Sequence, residues 1–342
     1  DKKQSSVEYG DIFFTTSSET PEEVGMSSIW LENKENIYLN SFCFGYRPFK
    51  ISDPYYWADV LRSPVVRKNF KLLAQGISRY NISKTKVLEM DIYMPNLKEQ
   101  ELVGKYFLNL DNLITLHQRK YDKLVNIKKS MLEKMFPKNG ADIPEIRFKG
   151  FNDAWEQRKL SEISDKVTEK NTENNYDETL TNSAEFGIVS QRDFFDKDIS
   201  NSKNLDGYYV VKNDDFVYNP RISNYAPVGP IKRNKLGRNG VMSPLYYVFR
   251  THDIDRTYLE HYFGSTSWHN FMKLNGDSGA RADRFAIKDS VLREMPIPYP
   301  TLEEQSKVGE FLESVADLIT LHQRKLEKLQ NVKKSLLSKM FV

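Results

Sequence analysis

Two stretches of the chain, each about forty residues long, carry an apolar residue at every third or fourth position. This spacing places the apolar side chains on one face of an α-helix, and over such a length it is typical of a coiled-coil seam. We therefore predict two long helices, over residues 95–136 and 300–342. The positions that share one heptad place and form the predicted seams are Val103, Leu110, His117, Leu124 and Met131, then Val308, Val315, His322, Leu329 and Leu336.

The two predicted helices are copies of one another. The octapeptide LITLHQRK occurs at residues 113–120 and again at 318–325, and a shift of 205 leaves 24 of 42 positions identical without a gap. Each copy also opens with an N-cap residue followed three positions later by a glutamate, which predicts a capping box at Asn96 and at Thr301. The chain is therefore an internal duplication, and each copy includes a complete rod of about 60 Å.

Two equal helices in one chain can pair with each other. Antiparallel pairing about a pseudo-twofold axis would bring the central residues His117 and His322 into contact, as a buried polar pair that fixes the register. Two alternatives stay open at this point. Each helix could pack on its own domain as a separate hairpin arm, and the histidines could flank the seam and face solvent.

The segments outside the helices predict two globular domains of mixed α and β structure. We expect a first domain at residues 1–94, a central helix at 95–136, a second domain at 137–299 and a C-terminal helix at 300–342. Residues 7–12 resemble residues 211–216, so the globular parts are also related, though weakly. Nothing before Asp1 matches residues 151–207, and we therefore expect the first domain to lack its N-terminal part.

Composition narrows the class of protein. With 39% apolar residues the chain can bury a core, and its only cysteine, Cys43, rules out a disulfide framework. The sequence has no apolar run of membrane-spanning length and no signal-peptide pattern at its start, so we expect a cytoplasmic protein without a membrane contact. The net charge of +3 says little about the partners of the protein. The uneven distribution of charge along the chain is more informative.

A basic window lies between residues 216 and 252. This segment includes no Asp or Glu. Basic and amide side chains on a glycine-containing loop suit DNA, because Lys and Arg neutralise phosphates, and Arg and Asn can also read base edges. A solvated basic loop is the simpler alternative. The residues that we predict to bind DNA, here and in related loops, are Arg192, Arg221, Asn224, Lys232, Arg233, Lys235, Arg238, Asn239, Arg281, Arg284, Arg47, Lys50 and Arg79.

Catalytic motifs do not stand out in the sequence. The five histidines have no partners at metal-ligand spacing, and no phosphate-binding GxxxxGK is present. Asp53-Pro54-Tyr55-Tyr56 resembles the Asp-Pro-Pro-Tyr motif of adenine methyltransferases, but it lacks the second proline and a glycine-rich cofactor turn. We interpret it as a turn before a helix, and we predict no catalytic or metal-binding residues.

The duplicated features resemble those of the specificity subunit of a type I restriction-modification enzyme. The resemblance rests on the repeated Pro-x-Leu-x-Glu-Gln start, on LITLHQRK, and on the Lys-Lys-Ser and Lys-Met-Phe of each helix end. Residues 153–160, DAWEQRKL, also resemble the opening of a recognition domain in that family. The similarity covers nearly the whole chain, and the short first domain is the departure from the pattern.

The resemblance implies an α+β fold in which two target recognition domains are joined by two antiparallel helices in a coiled coil. Each domain would read half of a bipartite site in double-stranded DNA, and the helices would set the spacer. Two methyltransferase subunits and two motor-nuclease subunits would be the protein partners. S-adenosylmethionine, ATP and Mg²⁺ are expected on those partners and not on this chain. The alternatives are an adenine methyltransferase with its own recognition domain and a bipartite DNA-binding regulator.

Overall fold

A computed structural model of the chain describes residues 5–138, 140–195, 205–277 and 283–341. The chain forms two compact units, and each takes part of both long helices. Unit 1 comprises Asp1–Asp122 and Thr320–Val342, and unit 2 comprises Lys123–Ile319. No helix in the described part of the chain is long and apolar enough to cross a membrane.

Unit 1 is built from short strands and helices, followed by the start of the first long helix. These elements are β1 (Ile12–Thr15), β2 (Ser17–Ser18), β3 (Ser27–Ile29), β4 (Cys43–Tyr46), α1 (Pro54–Val60), α2 (Pro64–Leu73), β5 (Tyr80–Asn81), α3 (Lys84–Leu88) and α4 (Leu97–Lys134). Strand β1 lies between β3 and β4 in an antiparallel sheet, and β2 pairs with β5.

Unit 2 is richer in strands. Its elements are β6 (Glu156–Lys159), α5 (Leu160–Ile163), β7 (Ser164–Lys166), β8 (Leu180–Ser183), β9 (Gly187–Ser190), α6 (Gln191–Phe195), β10 (Tyr209–Val211), β11 (Phe216–Tyr218), β12 (Ile231–Arg233), β13 (Gly240–Met242), β14 (Tyr247–Thr251), α7 (Arg256–Gly264), α8 (His269–Asn275), α9 (Asp289–Leu292), β15 (Pro296–Tyr299) and α10 (Leu302–Met340). The main sheet has the antiparallel order β12-β11-β14-β7, and separate pairs join β10 to β13, β8 to β9 and β15 to β6.

The two long helices that the periodicity predicts are confirmed, with 38 residues in α4 and 39 in α10. Their N-caps form as expected, because the backbone N–H of Glu99 donates to Asn96 Oδ1 at 3.1 Å and that of Glu304 donates to Thr301 Oγ1 at 3.3 Å. The reciprocal half of the predicted capping box is wrong for Glu304. Its carboxylate accepts hydrogen bonds from side chains that lie far away in the sequence.

Within unit 1 the helices α4 and α10 run antiparallel. Going forward along α4, Phe107 stacks on Phe341, Asp111 pairs with Lys333 at 2.5 Å and His117 contacts His322, so the partner positions run backward along α10. This pairing rules out, for unit 1, the alternative in which each long helix packs only on its own domain as a separate hairpin arm. It agrees with the antiparallel coiled coil that the duplication predicts.

Each long helix begins in one unit and ends in the core of the other. Helix α4 begins in unit 1, and its end packs into the core of unit 2; helix α10 begins in unit 2, and its end packs into the core of unit 1. In unit 1, Phe341 at the end of α10 packs on Tyr56 and Phe107 among the buried apolar side chains. In unit 2, Phe136, just after α4, packs on Tyr258 and Tyr262. Both phenylalanines are almost fully buried, with 5% and 1% of their surface exposed. Nothing in the sequence periodicity predicts this exchange of helix ends.

The contact between each domain and its own helix is repeated atom by atom. In unit 1, Gln100 Oε1 accepts the backbone N–H of Asp53 at 3.2 Å, and its Nε2 donates to the carbonyl of Pro95 at 2.7 Å. In unit 2, Gln305 makes the same two bonds, to Asp255 at 2.8 Å and to Pro300 at 2.8 Å. The duplication therefore extends from the sequence to the three-dimensional position of individual side chains.

Asp53 and Asp255 cap equivalent short helices at these contacts. The Oδ1 of each accepts the backbone N–H three residues later, at 2.7 Å, from Tyr56 and Tyr258. The helices lie so close that a glycine is needed on the long helix, because a Cβ at Gly104 would be 2.2 Å from the Asp53 carboxylate. The turn interpretation of Asp53-Pro54-Tyr55-Tyr56 is thus confirmed: the motif starts α1.

Candidate nucleic-acid interface

Most cations of the basic window in unit 2 are held in ion pairs. Arg233, whose side chain is only 11% exposed, lies 2.7 Å from Glu260 and 3.7 Å from Asp214. Lys235 lies 2.7 Å from Glu313 on α10 and 3.3 Å from Glu260 on α7. In this structure the two residues attach the window to the neighbouring helices, and a phosphate contact would have to compete with these carboxylates.

Two further residues of the window also have partners inside unit 2, and a third is half-buried. Arg238 makes two bonds of 2.7 Å to the Glu178 carboxylate, and this pairing raises the pKa of the guanidinium. Asn239 Oδ1 accepts the backbone N–H of Asn213 at 3.0 Å. Lys232 is half-buried, and its burial lowers the pKa of its ammonium group. These contacts hold the loop in shape, and the DNA-binding role of the three residues stays a prediction.

A different part of the predicted set forms an edge with one exposed arginine, Arg221, and one half-buried arginine, Arg284. Arg221 and Arg284 face each other across an antiparallel bridge, with Ile222 N–H bonded to Asp283 O at 3.0 Å. The side chain of Arg221 is 63% exposed, and its Nε lies 3.9 Å from the carboxylate of Asp283.

Asn224 and Tyr225 lie on the turn that follows. Ser223 and Ala226 close this turn with two backbone hydrogen bonds of 3.1 Å, and Tyr225 is 77% exposed at its tip. We call Arg221, Asn224, Tyr225 and Arg284 the recognition edge. Its two arginines are 63 positions apart in the sequence, so only the tertiary structure brings them together.

Two other predicted residues of the second domain remain. Arg192 is exposed on α6, where its charge helps Arg238 to lower the pKa of Glu178. Arg281 lies outside the described residues.

In unit 1 the three predicted cations have different surroundings. Arg47 bonds to both oxygens of Asp11, at 2.7 and 2.8 Å, and lies 2.7 Å from Glu8. The same pair recurs in unit 2, where Arg250 bonds to Asp215 at 2.7 and 2.9 Å. A contact repeated in this way indicates a structural role, and the sequence could have suggested it, because both aspartates lie in the weakly repeated segments 7–12 and 211–216.

Arg79 and Lys50, like Arg47, are exposed cations of the predicted set in unit 1. Arg79 lies on a tight turn in which Gly76 has a φ of +140°, a conformation that favours glycine. The shift of 205 that relates the helices also relates Arg79 to Arg284 of the recognition edge. Lys50 borders a cavity of about 360 Å³ that Trp57 and Met94 also line.

The predicted helix seam has its histidines in contact. Nδ1 of His117 lies 2.8 Å from Nδ1 of His322, which is the contact that the pseudo-twofold axis predicts. Both rings are half-buried, so the pair is less buried than expected. Partial burial, followed by the charges of His117, Lys120 and Lys325, lowers the pKa of His322. All ten predicted seam residues are buried or half-buried, including Val103, Leu110, Leu124, Met131, Val308, Val315, Leu329 and Leu336.

Within the described ranges, no group of three or more His, Cys, Asp or Glu side chains could hold a metal ion.

Comparison with models of protein families shows which family the chain belongs to. The model of the type I restriction modification DNA specificity domain matches residues 152–331, which include the recognition edge and α10 up to residue 331. The chain belongs to this family. It is a specificity subunit, a non-catalytic component of such a system, and this assignment is favoured over a methyltransferase or an independent regulator.

Similar proteins from the archaeon Methanocaldococcus jannaschii carry the same description. One, provisionally described as the type I restriction enzyme MjaX specificity subunit, is 24% identical over 96% of this chain and 77% of its own length. The type I restriction enzyme MjaVIII specificity subunit is also 24% identical, over 78% of this chain and 65% of its own length.

Solved structures share the fold. The HsdS subunit of Thermoanaerobacter tengcongensis superposes with a TM-score of 0.50 at 18% identity, covering 98% of this chain and 81% of that protein. The type I S subunit of M. genitalium gives a TM-score of 0.54 at 15% identity, covering 100% of this chain and 85% of that protein. At these identities the similarity supports the α+β architecture with two long helices, and specificity subunits therefore share it despite divergent sequences.

Proposed function

We propose that this specificity subunit reads a bipartite DNA site, with each globular domain contacting one half-site and the paired helices setting the spacer between them. The observation that carries the proposal is the duplication of the domain-to-helix contact, in which Gln100 and Gln305 make the same pair of hydrogen bonds. A protein with two such equivalent modules suits a DNA site with two halves.

The recognition edge has the chemistry for reading one half-site. A guanidinium such as that of Arg221 can donate two hydrogen bonds to guanine O6 and N7, and the amide of Asn224 can pair in the same way with adenine. Tyr225 offers an exposed ring and hydroxyl beside them. Arg79 is the matching exposed cation for the other half-site.

Membership in the specificity-subunit family implies that DNA and the other restriction-modification subunits are partners of this chain. We propose two methyltransferase subunits and two motor-nuclease subunits for each copy of this chain, because the pseudo-twofold repeat offers each kind of partner two equivalent surfaces. S-adenosylmethionine, ATP and Mg²⁺ would then belong to those subunits.

The recognition edge is tested by changing its cations one at a time in the complex with the methyltransferase subunit. We expect Arg221→Ala or Arg284→Ala to weaken binding of the cognate site by about 1–3 kcal/mol, with relaxed specificity if the residue reads a base. Arg293→Ala is the matched control, since Arg293 is an exposed arginine of unit 2 outside the predicted DNA-binding set. Equal losses in all three variants, or no loss in the first two, would place the DNA surface elsewhere; titrations at fixed salt measure this.

A further inference from the structure

The segment of unit 1 that corresponds to the recognition edge carries no cation. A shift of 204 relates residues 11–25 to residues 215–229, and both segments end at a glycine with a positive φ, of +64° and +83°. This shift places Ser17 where unit 2 has Arg221. Residues 15–25 include three glutamates and neither Lys nor Arg. We call residues 15–25 the edge segment of unit 1, and we expect any cations that serve it to come from a neighbouring element.

A second basic window lies in unit 1 and includes α2. Residues 60–88 contain seven Lys or Arg residues and no Asp or Glu. Four of these cations line one groove beside α2, which Glu22 of the edge segment also borders: Arg62, Arg67, Lys68 and Lys71. The positive charge of unit 1 is therefore concentrated next to the edge segment and not within it.

Two of the four cations fasten α2 to the edge segment. The guanidinium of Arg67 donates to the backbone carbonyls of Glu22 and Val24, at 2.6 and 2.8 Å. The ammonium group of Lys71 pairs with the Glu22 carboxylate and lowers the pKa of that carboxyl. These contacts hold α2 directly against the edge segment.

The other two cations are open to a ligand. Arg62 and Lys68 are exposed, and neither forms an ion pair with another residue in the described part of the chain. The guanidinium of Arg62 donates one hydrogen bond, to the carbonyl of Ser27 at 3.0 Å, which holds the group at the groove. We call Arg62 and Lys68 the basic face of α2.

Unit 2 exposes the corresponding surface without charge. The shift of 202 that relates the two capping aspartates places Gly264 and Asn270 at the positions of Arg62 and Lys68. Both residues of unit 2 are exposed, so this surface faces solvent in each unit. Unit 2 has its exposed arginine, Arg221, on the recognition edge itself, whereas unit 1 has its cations on the adjacent helix.

We infer that the basic face of α2 binds phosphates of the DNA backbone beside the half-site that unit 1 contacts. The inference rests on the proposed function, which places DNA along the edge segment. Lys and Arg that contact phosphates add affinity and fix position without reading sequence. DNA suits this face better than an acidic protein does, because Arg67 and Lys71 hold α2 against the very segment that corresponds to the recognition edge.

Lys68→Gln, alone and together with Arg62→Gln, tests the inference in the complex with the methyltransferase subunit. Binding is measured for the cognate duplex and for duplexes with one or both half-sites scrambled, between 50 and 200 mM salt. We expect Lys68→Gln to weaken binding to every duplex by the same factor, about tenfold at 50 mM salt, and to reduce the slope of log K against log salt by about 1. The double variant should reduce the slope by about 2, and Lys68→Arg should bind as the unchanged chain does.

Lys105→Gln is the matched control, because Lys105 is an exposed lysine of unit 1 that does not line the groove, and its salt slope should not change. Unchanged slopes in both α2 variants, with the preference for the cognate duplex intact, would overturn this inference and leave the proposed function standing. A loss confined to the cognate duplex would show base reading, and a loss of assembly with the methyltransferase subunit on gel filtration would show an acidic protein partner; either result overturns the inference. Equal binding of all duplexes by the unchanged chain would overturn the proposed function, and this inference with it.

Discussion

Asp59 and His261 occupy equivalent positions, three residues after Tyr56 and Tyr258, yet they differ in chemistry. Each is almost fully buried, and each lies near a lysine of a long helix: Lys333 is 3.7 Å from Asp59, and Lys128 acts on His261. Burial is the largest influence on both. It raises the pKa of Asp59 to about 7, with Asp111 adding to the rise and Lys333 opposing it.

The raised pKa of Asp59 predicts that its charge destabilises unit 1 at high pH. The folded state holds the proton more tightly than the unfolded state does, so this group's contribution to stability falls as the pH rises from about 4 to 7. Asp59→Asn should therefore be more stable than the unchanged chain at pH 8, by on the order of 2–3 kcal/mol, and the gain should shrink as the pH approaches 4. Denaturant unfolding at pH 8 and pH 5 measures this, with the exposed Glu35→Gln as control; a gain that does not depend on pH would contradict the prediction.

For His261 we predict the opposite pH dependence of stability. Burial, followed by the charge of Lys128, lowers its pKa to about 4, against a partial opposing effect of Glu313 at 3.2 Å. The unfolded state then binds a proton more readily, so the stability contributed by His261 is lost as the pH falls from about 6.5 towards 4. His261→Gln should flatten this part of the stability profile. Thermal melts between pH 4.5 and 7.5 test it, and an unchanged acid-sensitive slope would show that other groups cause the loss.

At the scale of elements, the paired histidines interrupt an otherwise apolar seam. A polar residue at a seam position specifies register at a cost in stability. The Nδ1–Nδ1 contact of 2.8 Å also requires that at least one ring is neutral, because two imidazolium rings would both be donors. The lowered pKa of His322 agrees with this requirement.

Replacing both rings by leucine, His117→Leu with His322→Leu, should raise the melting temperature at pH 7. Since the folded state releases the proton of His322 more readily than the unfolded state does, the unchanged chain should lose stability as the pH falls below about 6.5, and the double variant should lose less. Circular-dichroism melts at pH 5 and 7.5 measure both effects. Identical pH profiles for the two proteins would show that the pair does not control acid stability.

At the scale of the whole molecule, the two helices should act as a ruler only when they change together. Helix α4 passes from Phe107 in the core of unit 1 to Phe136 in that of unit 2, and α10 ends with Phe341 in unit 1. Lengthening one helix alone would displace one of these core side chains.

We therefore predict that one added heptad in each helix, after Lys120 and after Lys325, lengthens the DNA spacer. Seven residues add about 10.5 Å, or about three base pairs, and preserve the seam. Mapping of methylated sites in cells should show unchanged half-sites with a longer spacer, whereas a single insertion should reduce stability. Altered half-sites with the original spacer would contradict the separation of reading from spacing.

The sequence by itself determined the features that depend on local pattern. Apolar periodicity predicts α4 and α10, and the exact repeat predicts the antiparallel pairing and the contact between His117 and His322. These inferences succeed because a helix face and a duplicated seam depend only on residue spacing along the chain. The family assignment depends on the same repeated motifs.

The tertiary structure alone decided which side chains are available at the surface. Arg233 and Lys235 lie in a window without acids, but Glu260 and Glu313 reach them from α7 and α10. Arg221 and Arg284 become neighbours through a bridge between loops distant in sequence. Ion pairing and burial depend on distances in space between residues far apart in the chain, and spacing along a single sequence does not contain those distances.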